Sequence, residues 1–99
     1  MNLANDLNNA MNGNGGKIPF SFIRGLVEHD DTKIVHVQPT PNTRVCVIVL
    51  PTGHNLVGYA QVLDSANDDE LIGQEVALTN ATNEMWAMLG AIALATYKG

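Results

Sequence analysis

The sequence predicts an α+β fold: a small antiparallel sheet packed against one long C-terminal helix, with a short helix ahead of the sheet. Three observations predict it. A β-branched run and a second, alternating strand-like run flank a Pro51-Thr-Gly53 turn, which reads as a hairpin over 43–63. A further Ile/Val run at 33–38 stops at Pro39 and Pro41, since proline cannot donate to a strand ladder. From about Asp69 to Thr96 there is no proline, and apolar residues recur at helical spacing.

Within the hairpin, Val45, Val47 and Val49 share one face, and Cys46, Ile48 and Leu50 share the other. Apolar residues on both faces describe a strand covered on both sides. Gly53 suits the left-handed position that closes a type I turn, giving a loop of three or four residues. On the return strand Leu56, Gly58, Ala60 and Val62 share a face, and the small pair Gly58 and Ala60 lets a helix pack close. Before the sheet, Phe22, Ile23, Leu26 and Val27 form one apolar helical face, with Ser21 placed to cap it. The His29-Asp-Asp-Thr32 cluster ends that helix.

The last helix starts in an acidic stretch, where Asn67 or Asp68 can cap its positive end. Its second half is unusual, because no residue from Met85 to Tyr97 is charged. A helix apolar around its circumference must be covered on nearly every side, and one small sheet covers only one. Self-association is therefore expected through Trp86, Ala87, Gly90, Ala91, Leu94 and Ala95. The alternative is that the arm and the first helix wrap back over it.

At 99 residues the chain has room for a single domain, read here as an arm over 1–16 and an α+β domain over 17–99. The arm is rich in Asn, a poor helix-interior residue, and ends in a Gly cluster. It reads as flexible, although Leu3, Leu7 and Met11 recur at helical spacing. The formal charge is −5 with only five Lys and Arg. That balance disfavours a phosphate-tracking surface, so no direct nucleic-acid binding is expected. One cysteine permits neither an internal disulfide nor a zinc cluster. No secretory signal is visible, and the apolar run at 85–95 is about half of a bilayer span. A cytosolic protein without a membrane partner is expected.

The order of these elements resembles the phage gene 49/gene 66 family of small tailed-phage proteins. The matching positions are Cys46, Val47, Leu50, Gly53, Val57, Gly58, Asp69, Gly73, Ala77, Ala81, Trp86 and Gly90, over roughly residues 43–92. The chain departs from the family pattern at three places. Thr52-Gly53-His54 replaces Asn-Gly-Phe, Tyr59 replaces a Glu, and Met88-Leu89-Gly90-Ala91 replaces Leu-Glu-Gly-Tyr. The resemblance implies a viral protein at work in the host cytoplasm.

No catalytic constellation, metal set or cofactor motif stands out, so binding rather than catalysis is expected. His29, His36 and His54 are scattered, and the Gly cluster at 13–16 lacks the Lys of a phosphate loop. Candidate ligand-binding residues are Arg44, Tyr59, His54 and Arg24. Arginine offers a planar fork matched to phosphate, and tyrosine a stacking face. Arg44 and Tyr59 can meet on the hairpin only if the turn register permits. The expected partners are further copies of the chain with a small nucleotide in an inter-subunit pocket. The alternative is a host defence protein, with Glu28–Asp31 and Asp64–Glu75 as acidic patches on a surface meant for DNA.

Overall fold

A 27-residue helix and a three-stranded sheet organise the molecule, seen in a computed structural model that describes residues 1–62 and 69–98. The elements in chain order are α1 (Leu3–Asn12), α2 (Phe20–Val27), β1 (Lys33–Thr40), β2 (Thr43–Val49), β3 (Asn55–Gln61) and α3 (Glu70–Thr96). The sheet is antiparallel in the order β1-β2-β3. This is the α+β arrangement read from the sequence.

The hairpin turns at Gly53, whose φ of 89° lies in the left-handed region that glycine tolerates. Its N–H donates to the Leu50 carbonyl at 2.9 Å, and the Leu50 N–H donates to His54 O at 2.9 Å. The register pairs Val45 with Tyr59, Cys46 with Gly58 and Ile48 with Leu56. On the other side of β2, Ile34 pairs with Ile48 and His36 with Cys46. β1 runs past its expected end to Thr40, with a register shift between Val37 and Thr40 that accommodates Pro39.

α3 lies across β2 and β3 on the face that carries Cys46, Ile48, Leu56 and Gly58, all buried. The approach is closest at Gly58. A Cβ there would collide with the Ala77 carbonyl oxygen and the Ala81 nitrogen, so only glycine permits this spacing. The buried residues of α3 are Gly73, Ala77, Ala81, Met85, Leu89 and Ala93, one every four residues. Each such step overshoots a full turn by about 40°, so this line winds about 200° around the helix. Small residues face the sheet in the first half. Met85 and Leu89 carry the core onward to the side occupied by the N-terminal helices.

The segment read as a flexible arm forms α1 in the structure. Leu3, Leu7 and Met11 are buried in the same core as Met85 and Leu89. Asn2 caps α1 by accepting from the Asn5 N–H at 3.0 Å. Asn8 Nδ2 donates to Thr96 Oγ1 at 3.1 Å, and the Tyr97 hydroxyl donates to Asn12 Oδ1 at 3.1 Å. These contacts tie the two ends of the chain together. Asparagine's weak propensity is outweighed by burial of one apolar stripe, the usual source of helix stability in folded proteins.

Two caps differ from expectation. Ser21 sits inside α2, which is preceded by Pro19 and has no side-chain cap. Asp69 caps α3, its carboxylate accepting from the Ile72 N–H at 3.1 Å. Asn67 and Asp68 lie outside the described residues.

Candidate functional site

The four residues singled out for ligand binding are spread over separate regions. Register parity decides two of them. Val45 opposes Tyr59 and Arg44 opposes Ala60, so Arg44 and Tyr59 project from opposite faces of the sheet. They do not meet within one chain. Arg44 shares the α3-facing side with Cys46, and its stem lies on Gly73, where a Cβ would sit 2.5 Å from Arg44 Cδ. There it lines a polar cavity of about 120 Å³ with His36, Val37, Gln38, Glu70 and Gln74. Tyr59 is 58% exposed on the opposite face, and its carbonyl accepts from Asn80 Nδ2 at 2.7 Å. His54 is exposed beside the hairpin tip, its Nδ1 2.6 Å from Thr52 Oγ1.

Arg24 has the richest surroundings of the four. It sits on α2 one turn after Phe20, with the guanidinium carbon 5.6 Å from the Phe20 ring centroid, within cation–π range. The two residues line a groove of about 260 Å³ between α2 and α3. Ile23, Val27 and Leu78 supply its apolar lining, and Glu28, Thr79, Thr82 and Asn83 supply polar groups. Thr82 Oγ1 donates to the Leu78 carbonyl at 2.8 Å, so its hydroxyl is turned toward its own helix. The volume falls just short of the range of about 300–1,000 Å³ typical of small-molecule sites. The groove thus offers an aromatic face and a cation on its α2 wall, and amide and hydroxyl groups on its α3 wall.

Sequence reasoning found Arg24 but missed Phe20, Thr79, Thr82 and Asn83. The signal was present as the Phe20/Arg24 spacing of four and the polar run Thr79-Asn80-Ala81-Thr82-Asn83 in an otherwise apolar helix.

The residues expected to mediate self-association are all exposed on α3. Leu94 is 92% exposed and Trp86 39%, and Ala87, Gly90, Ala91 and Ala95 are exposed with them. α1 lies against the end of this half at Thr96 and Tyr97, and α2 lies against the stretch 78–83. Helical geometry puts Thr79, Asn83, Trp86, Gly90 and Leu94 along one side of α3, so the exposed stripe continues from the edge of the groove.

Cys46 is a core residue. It is fully buried, and burial pushes its thiol above the usual range, which disfavours the thiolate a nucleophile needs. His29 Nδ1 accepts from the Asp31 N–H at 3.0 Å in the turn after α2. Among the described residues no group of three His, Cys, Asp or Glu side chains could hold a metal ion. No helix among them is long and apolar enough to cross a membrane.

An antiparallel three-stranded sheet under one long helix, with a shallow groove beside it, defines a small α+β domain. The profile of the phage protein (N4 Gp49/phage Sf6 gene 66) family matches residues 21–95, and the chain belongs to that family. The match takes in α2, all three strands and nearly the whole of α3. No curated protein and no solved structure matches the chain. Several positions that carry the resemblance, Cys46, Gly58, Gly73, Ala77 and Ala81, are buried between sheet and helix. The resemblance at these positions marks packing.

Proposed function

We propose that this phage protein acts by binding rather than catalysis, countering a host defence in the host cytoplasm by sequestering a nucleotide signal. The α2–α3 groove is the seat of binding, and a second copy packed on the exposed stripe of α3 closes its open side. The observation that carries this reading is the placement of Arg24 and Phe20 on one groove wall, opposite Thr79 and Asn83. A guanidinium matches a phosphate bidentately, an aromatic face stacks on a base, and the Asn amide can read a base edge. The Arg44 cavity, at about 120 Å³, is too small to enclose a nucleotide within one chain.

Isothermal titration calorimetry against a panel of cyclic and linear nucleotides tests the proposal. Saturable binding of one nucleotide is expected. Arg24→Ala should reduce affinity at least tenfold, and Arg24→Lys should restore only part of it because lysine lacks the planar fork. Native mass spectrometry should find the nucleotide retained on more than one chain. Absence of binding across the panel would reject the nucleotide reading.

A second reading has one observation in its favour. Glu28, Asp30 and Asp31 are exposed together after α2, an acidic cluster able to occupy the basic surface of a host nucleic-acid-binding defence enzyme. Reversing these charges should then abolish a salt-sensitive complex with that enzyme while leaving nucleotide titrations flat.

A further inference from the structure

The face of the sheet turned away from α3 is apolar and open. Three rows of paired residues cross it: Val37–Val45–Tyr59, Val35–Val47–Val57 and Lys33–Val49–Asn55. Val35, Val37, Val57 and Tyr59 are 45%, 48%, 37% and 58% exposed. The three β2 valines between them are partly exposed. An antiparallel sheet with one solvated face carries polar residues there, and β2 instead carries valine at every outward position from 45 to 49. The pattern is that of a sheet covered on both sides, and the described residues cover one.

We propose that this face is an interface onto the same face of a second copy, two sheets stacking into a sandwich. The occupant follows from shape and charge. A broad valine surface is self-complementary, and stacked antiparallel sheets interdigitate at about 10 Å. The apolar middle is bounded by Lys33, Asn55, Thr43 and Gln61, an apolar centre with a polar rim. Lys33 is its one charge. None of the acidic side chains among the described residues stands on this face of a chain with net charge −5, so two like-charged copies can meet here without opposing those carboxylates. This surface is separate from the α3 stripe invoked for the nucleotide groove.

Sedimentation velocity at micromolar concentration, on the full chain and on charge variants of each surface, tests the proposal. The wild type should sediment above the 10.6 kDa of one chain. Val47→Glu and, independently, Tyr59→Glu should each lower that mass while circular dichroism and the urea midpoint at low protein concentration stay close to wild type. Tyr59 is exposed enough that its variant tests the interface even if Val47→Glu impairs folding. Leu94→Glu, on the α3 stripe, should leave the sheet-to-sheet pair intact. A wild-type mass that survives both sheet variants but falls in Leu94→Glu overturns the sandwich and leaves the groove-closing contact standing. A single-chain mass for the wild type overturns both.

Discussion

The two faces of the sheet carry similar amounts of aliphatic side chain and behave differently. On the closed face, Cys46, Ile48, Leu56 and Gly58 lie under α3, and small residues on both partners bring the backbones into contact. On the open face, valines stand at matched height across three strands with no described element above them. The difference shows that hydrophobicity marks a surface for burial, while side-chain size selects what buries it. Gly58, Ala77 and Ala81 accept a helix axis at close range. A flat field of valines accepts another sheet.

The strongest way to break the closed face is at Gly58. Gly58→Val should cost about 3 kcal/mol or more, because the new side chain meets the Ala77 carbonyl and Ala81 nitrogen, which cannot swing aside. Urea denaturation followed by circular dichroism measures it, and an unfolded chain is within expectation. Ile48→Ala comes next. Ile48 is fully buried, so a loss of about 2–5 kcal/mol is expected from lost transfer energy and the cavity left behind.

Leu7→Ala belongs in the same range by burial, since Leu7 is also fully buried. Its readout is separable. It should expose the second half of α3, seen as faster amide exchange at Met85 and Leu89, and leave the hairpin protected. The smallest effect is expected on the open face. Val47→Thr keeps the shape of the side chain and should cost under about 1 kcal/mol in a dilute sample. Its cost should grow with protein concentration if two copies pair there, because pairing stabilises the folded state by mass action. Closed-face variants should lack that added dependence.

The strand pattern was legible because it rests on local rules. Alternation in 43–50, the Pro-Thr-Gly turn and the prolines after β1 each act within a few residues. The long helix was legible for the same reason. Helix α1 was not, because its composition argues against a helix and its stability comes from contacts with residues some eighty positions away, such as Thr96 and Tyr97. The site was less legible still. Whether Arg44 and Tyr59 share a face depends on the parity of the hairpin register. The sequence left the loop at three or four residues, so that parity stayed open. The groove at Arg24 needed the placement of α2 on α3, a long-range fact that neither helix states alone.

The winding of the buried line on α3 has a consequence for how this chain can change. The sheet grips the helix at Gly73, Ala77 and Ala81, and α1 grips it near Thr96 and Tyr97. Between the two grips the helix acts as a rigid shaft that fixes their relative angle. Inserting or deleting one residue near Asn83 would turn one grip by about 100° relative to the other. Substitutions on the exposed side of that shaft leave this angle unchanged, so the fold is more sensitive to the length of α3 than to its outer surface.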